Sequence, residues 1–423
     1  MRSNATYKKT VLKNGLRVIT EKVQDVRSIA IGIWVDVGSR DELPDESGLS
    51  HFIEHMVFKG TKSRSPQKIA SSLESLGGSL NAFTSREQTC FHALVLDEHL
   101  GQAVDVLSDI LTNSTITPLN IIKEKQVVME EINEVYSTPS DHIHDLFSNC
   151  FWRGQPLGWS ILGNEATVNS FKRRDVINYI KKHYHSGRIV VSAAGNISHN
   201  KLVDMIEAKL NISEGADGRG GPAQSPTDFK LEVHKNGINQ THVCIGFPGV
   251  GYSDMDKYAL LVLHYYLGGG MSSKLFQKIR EQKGLVYTIF TFPDYYRDNG
   301  VFGAYFATDK KSVQPALELM LKEFSRLKRT KLTKEQMINI KDQCKGHLLL
   351  GMESTTSRMN RLARQEIMSA EYKTHLETID RINSVKSKDV IEIARKIFNP
   401  EGMTITTLGN TTRKNFANID WSI

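Results

Sequence analysis

The run Ser50-His51-Phe52-Ile53-Glu54-His55-Met56-Val57-Phe58 holds two histidines four residues apart with a carboxylate between them. On a helix, positions i, i+3 and i+4 share one face, so His51, Glu54 and His55 project together. Two neutral imidazoles at that spacing suit a divalent ion such as zinc. A neighbouring carboxylate that does not bind the ion can take a proton from water held there, which is the chemistry of hydrolysis. The order reverses the commoner His-Glu-x-x-His. Taken alone, three fixed positions in five residues are as compatible with a polar patch as with a metal site, and a third ligand has to decide.

The next acidic cluster of interest lies on a long helix. Thr117-Pro118 reads as an N-cap followed by proline at the first helical position, opening a helix through about Tyr136. Positions 124, 127, 128 and 131 fall on one stripe, so Glu124 and Glu131 point the same way with two valines between them. Two carboxylates on an otherwise apolar stripe are costly to bury unless something positive sits opposite. A metal ion would neutralise them.

Around these residues the chain alternates strands and helices. Thr10 to Glu21 and Ser28 to Val37 alternate apolar and polar residues, with a turn at Asn14-Gly15, and are predicted strands. The motif helix ends near Gly60, and a second helix over Lys68 to Leu76 is stopped by Gly77-Gly78. Leu80 to Thr84 and Thr89 to Leu96 are predicted as paired strands, and His99 to Leu111 as an amphipathic helix. Ser137-Thr138-Pro139 opens a further helix. A helix over Arg174 to His183 and a strand over Arg188 to Ala194 close the first half.

Then the composition shifts. Residues 213 to 226 have no periodicity and many glycines and prolines, and read as an exposed linker. Beyond it the order of elements returns. Ser170, Lys172, Asp175, Val176, Ile177, Lys182, Gly195 and Asn196 recur 214 positions on as Ser384, Lys386, Asp389, Val390, Ile391, Lys396, Gly409 and Asn410. Thr333-Lys334-Glu335-Gln336 is a capping box at the counterpart of Thr117. The chain is therefore predicted as a tandem duplication of one α+β unit, with domains at 1–212 and 229–423 joined by a linker at 213–228. Where the motif helix should recur, Lys257 to Tyr266 offers no ligand pair, so only the first half can carry this metal.

Composition narrows the function classes. With 423 residues, 39% hydrophobic and 24% charged, the chain is globular and long enough for two cores. The net charge of +7 comes from 54 basic and 47 acidic residues interleaved along the chain, which fits a solvated surface and gives no nucleic-acid patch. Cys90, Cys150, Cys244 and Cys344 lie far apart with no Cys-x-x-Cys pair, so neither a disulfide framework nor a thiolate zinc site is indicated, and a reducing compartment fits. No apolar run approaches the roughly 18 residues of a membrane helix. Met1 to Thr6 lacks a signal peptide's apolar core, so a cytoplasmic, bacterial protein is expected. Gly268-Gly269-Gly270 lacks the Gly-Lys-Ser/Thr ending of a phosphate loop, which argues against nucleotide binding. His142/His144 and His183/His185, two residues apart, diverge from one another and are read as structural.

Motif, spacing and repeat together resemble the mitochondrial processing peptidase and pitrilysin family, the inverzincins, in its bacterial single-chain branch. Glu131 falls 76 residues after His55, as the family's glutamate ligand does. The resemblance covers nearly the whole chain. It implies an α+β fold of two homologous sandwich-type domains forming a clamshell around a chamber. It also implies one zinc per chain held by His51, His55 and Glu131, with Glu54 as general base and Glu124 orienting a ligand from behind. Arg280 and Tyr287, in Arg280-Glu281-Gln282-Lys283-Gly284-Leu285-Val286-Tyr287, match the residues that steady the developing oxyanion. Leu80 to Thr84 matches an edge strand, where Asn81 and Ala82 would pair with an extended peptide; a plain internal strand is the rival. Asp141 and Asp145 match a grip for an arginine before the cleaved bond, against the alternative of solvated acids at a helix start. Phe58 matches the position that receives an apolar residue after the bond, with core packing as its rival. The expected activity is endopeptidase cleavage of short or unfolded, basic peptides. A non-catalytic assembly subunit and a peptidase dedicated to one biosynthetic precursor are the alternatives, and a homodimer or related subunit is a possible partner.

Overall fold

The computed structural model describes residues 6–215 and 221–423. The expectation about a leader at 1–5 and the centre of the expected linker, 216–220, lie outside the described residues. The protein divides into two compact units, each built on one sheet.

The first sheet has six strands: β1 (Thr6–Val11), β2 (Arg17–Lys22), β3 (Ser28–Val35), β4 (Ser79–Thr84), β5 (Thr89–Leu96) and β6 (Ile189–Gly195), in the order β1-β2-β6-β3-β5-β4. The second has β7 (Lys230–Lys235), β8 (Thr241–Pro248), β9 (Thr288–Tyr295), β10 (Gly300–Thr308) and β11 (Thr404–Gly409), in the order β7-β11-β8-β10-β9. Setting β1 aside, the two orders superpose strand for strand. The one parallel pair also recurs at the same place, β2 with β6 and β7 with β11. The doubling read from the 214-residue offset is thus a doubling of topology, and the fold is α+β.

Both sheets are apolar on both faces. In β3, Ile29, Ile31, Ile33 and Val35 enter one core while Ala30 and Trp34 enter another, because successive side chains of a strand point to opposite sides. The first core packs against Phe52, Ile53, Met56 and Val57 of the motif helix. The second is closed by Met359, Leu362, Ala363 and Ile367 of the helix Thr355–Ser369. In the other unit, Cys244, Tyr305 and Leu408 are covered by Ile143, Phe147 and Phe151 of the helix Pro139–Phe151.

The compact units are therefore not the sequence halves 1–212 and 229–423. One gathers the described parts of Met1–Glu134, Trp159–Gly221 and Leu350–Tyr372; the other gathers Val135–Gly158, Pro222–Leu349 and Lys373–Ile423. The physical reason is the second apolar face of each sheet. Leaving it in water would forfeit roughly 25 cal/mol for every Å² of apolar surface, and the covering helix comes from the opposite half of the chain. Among the described residues no helix is long and apolar enough to cross a membrane.

Candidate active site

The motif helix, Leu49–Val57, is pinned by burial of Leu49, Phe52, Ile53, Met56 and Val57, which leaves His51, Glu54 and His55 on its partly open face. Its N-cap, Gly48, sits at φ +93°, and a Cβ there would lie 2.6 Å from the Leu162 carbonyl oxygen, so only glycine fits. Glycine has no side-chain oxygen to cap the helix. The carboxyl group of Glu42 supplies one from outside, accepting the N–H of Gly48 and of Ser50, each at 2.8 Å. Burial pushes the Glu42 carboxyl up to about 8, against the pull of those two hydrogen bonds.

The rings of His51 and His55 stand 4.6 Å apart. His51 Nε2 lies 3.6 Å from Glu131 Oε2, and His55 Nε2 lies 3.5 Å from Glu131 Oε1. Ligand atoms about 2.0–2.1 Å from a tetrahedral zinc are about 3.3–3.4 Å from one another, so this spacing suits a shared ion. Among the described residues this is the one cluster of three or more such donors with ligand atoms within 4.8 Å of one another. Burial, then the neighbouring His55, holds His51 down at about 3, so its ring is neutral and keeps a lone pair for a metal. At His55 burial works against the charged ring, but the hydrogen bond to Glu124 and the charges of Glu131 and Glu54 outweigh it and raise the ring.

Glu124 is 4% exposed and stands behind the cluster, with Oε2 3.3 Å from His55 Nδ1 and Oε1 3.0 Å from Lys59 Nζ. Burial opposes its charge, and those two partners overcome it to hold the carboxyl below its ordinary value. Glu54, raised by burial, accepts a hydrogen bond from Thr84 Oγ1 at 2.5 Å. Sequence reasoning assigned no role to Glu42 or Lys59, and placed Thr84 only at the end of the edge strand, with no contact to Glu54. For Glu42 there was a cue, a helix opened by a glycine that needs a remote acceptor; for the other two there was none.

The remaining expected site residues fall into two groups. Phe58 is the C-cap of the motif helix, half-buried against the core, its ring 6.4 Å from Phe91. Asn81 and Ala82 lie on β4, the outermost strand of the first sheet, with Asn81 exposed. Asp141, Asp145, Arg280 and Tyr287 all belong to the second unit. Asp141 and Asp145 sit a turn apart on the helix Pro139–Phe151. Arg280 lies over the Phe276 ring and donates from Nε to the Tyr287 carbonyl at 2.9 Å, while Tyr287 is 59% exposed.

Residues 17–165 match the family model for insulinase, peptidase family M16, and residues 170–344 match the model for the M16 inactive domain. An uncharacterized zinc protease of Bacillus subtilis, YmxG, is 40% identical over 92% of this chain and 95% of its own length. The chain belongs to peptidase family M16. A second M16-like relative, an uncharacterized zinc protease of Streptomyces coelicolor, is 36% identical over 93% of this chain and 87% of its own length. Solved structures share the fold. A protease from Helicobacter pylori superposes with a TM-score of 0.90 at 21% identity, covering 96% of this chain and 99% of that one. A chain of Complex III2 from Candida albicans reaches 0.84 at 22% identity, covering 96% and 98%. The M16 inactive-domain match, residues 170–344, includes the segment Lys257 to Tyr266, where the sequence offers no ligand pair.

Proposed function

We propose that this protein is a zinc endopeptidase with one ion per chain held by His51, His55 and Glu131. The observation that carries the reading is the convergence of two imidazole nitrogens and one carboxylate, with the separate carboxylate of Glu54 beside them. A zinc ion bound there would make a water molecule acidic enough to attack near neutral pH and would polarise the peptide carbonyl. Glu54, steadied by Thr84, accepts the proton from the attacking water and returns it to the departing amine. Glu124 holds the His55 ring so that Nε2 faces Glu131. By family resemblance, Arg280 and Tyr287 stabilise the oxyanion.

Short or unfolded peptides are the proposed substrates. An extended segment would add to β4 at Asn81 and Ala82, since an outermost strand has backbone groups to offer. Asp141 and Asp145 would grip an arginine before the scissile bond, and Phe58 would meet an apolar residue after it. A non-catalytic role is the second reading, favoured only by the shared fold of the Complex III2 chain; the intact His51, Glu54, His55 and Glu131 weigh against it.

Metal content and cleavage of an arginine-containing fluorogenic peptide, measured on wild type and Glu54→Gln, test the proposal. Wild type should carry one zinc and cut, while the variant should keep the zinc and lose about 10²–10⁴-fold in rate. A variant that cuts at the wild-type rate removes Glu54 as base. A zinc-loaded wild type that cuts no peptide favours the non-catalytic reading.

A further inference from the structure

We propose that Lys59 is a positioning residue of the metal centre, acting through Glu124 on His55. The inference rests on the zinc reading of the site. Lys59 follows the C-cap Phe58 of the motif helix, and its ammonium is 3.0 Å from Glu124 Oε1. The other oxygen of the same carboxylate is 3.3 Å from His55 Nδ1. One buried carboxylate thus has one oxygen on a cation and the other on the ring that must present Nε2 to the metal.

The lysine is fixed at its backbone as well. Its N–H donates to the Met56 carbonyl at 3.1 Å, and its own carbonyl accepts from Asn120 Nδ2 at 2.8 Å. Asn120 is one turn before Glu124 on the helix Pro118–Ser137, and Glu131 lies two turns beyond Glu124. Lys59 therefore ties the end of the helix bearing both imidazoles to the helix bearing the third donor, at two heights one turn apart.

This pair differs from the surface ion pairs that contribute little. Exposed pairs are weak because both partners have water as an alternative. Here the Glu124 side chain is 5% exposed and Lys59 is its cationic partner, while the lysine stem, 34% exposed, stays solvated on its far side. Without the ammonium, Glu124 keeps, among the described residues, the imidazole contact to His55, and its plane is freer to rotate about the side chain. The tautomer and tilt of His55 depend on that plane.

The test is zinc affinity, by competition with a chromophoric chelator, on the full chain. Partners in direct contact with a metal ligand change affinity by about 10–100-fold, so Lys59→Met, one bond further out, should weaken zinc by about 3–10-fold. Lys59→Arg, which keeps the cation, should stay close to wild type. In a Glu124→Gln background, Lys59→Met should add nothing, because the route to His55 is already cut. Steady-state kinetics should show the Lys59→Met loss in kcat with KM unchanged.

Wild-type zinc affinity in Lys59→Met overturns the proposal, and so does a loss that persists undiminished beside Glu124→Gln. If Lys59→Met does not fold, the comparison of Lys59→Gln with Lys59→Arg carries the same two outcomes. A wild-type protein that binds no zinc sinks the zinc reading itself, a result distinct from a zinc-binding wild type matched by its Lys59 variants.

Discussion

Thr84 donates to Glu54 across 2.5 Å from the end of β4, the strand proposed to receive substrate. A hydrogen bond to a charged group contributes about 1.5–3 kcal/mol, so Thr84→Val should cost about 10–100-fold in kcat with zinc content unchanged. Thr84→Ser, which keeps the hydroxyl, should recover most of the rate. Equal rates for the valine and serine variants would remove the hydroxyl from the mechanism. At this scale the sequence was legible where geometry is local. His51, Glu54 and His55 share a face because one helical turn separates them, and that follows from spacing alone. Thr84 lies 30 residues from Glu54 and Lys59 lies 65 from Glu124. Contacts that span such stretches leave no period in the chain to read.

The motif helix depends on an acceptor outside itself. Glu42, pushed up to about 8, stands above the roughly 4.3 of a free glutamate. The folded state therefore favours its neutral form. The stability this contributes is complete below the unfolded value and is lost as pH rises toward 8. Glu42→Gln cannot titrate, so the gap in urea midpoint between wild type and variant should be widest near pH 5 and narrow by pH 8.5. A gap constant across that range would remove Glu42 as the titrating group. The helix Thr355–Ser369 offers a second test among the elements. Met359 is fully buried on the far face of the first sheet, close enough that a Cβ on Gly32 would lie 3.1 Å from its sulfur. Met359→Ala should destabilise by about 2–5 kcal/mol in urea unfolding. The sequence reading named no element over this helix, and its pairing with a sheet in the other half of the sequence was not legible either.

The exchange of covering helices makes each half of the chain dependent on the other. A fragment of residues 1–212 lacks Met359, Leu362, Ala363 and Ile367, leaving Ile19, Ala30, Trp34 and Val190 uncovered. It also carries Phe147 and Phe151 without Cys244, Tyr305 and Leu408 to receive them. Such a fragment should bind a hydrophobic dye and precipitate, and coexpression with residues 213–423 should restore a soluble, zinc-binding protein. A soluble, cooperatively melting fragment would contradict the exchange. Metal linkage is a further property of the whole chain. Zinc at about 100 times its dissociation constant adds about 2.7 kcal/mol. The melting temperature of chelated wild type should rise on adding zinc, and that of His51→Ala should not.

The sequence by itself determined the motif helix, the glutamate-bearing helix capped at Thr117-Pro118, the alternation of the strands and the doubling of the unit. Each of these is written in short-range periodicity or in a repeat that can be aligned with itself. Tertiary structure alone decided which helix closes each sheet, that Glu42 caps a helix with a bare glycine start, and that Lys59 and Thr84 stand behind Glu124 and Glu54. Those choices turn on which distant apolar faces and buried polar groups meet once the chain is compact, a matching of surfaces that a linear pattern does not encode.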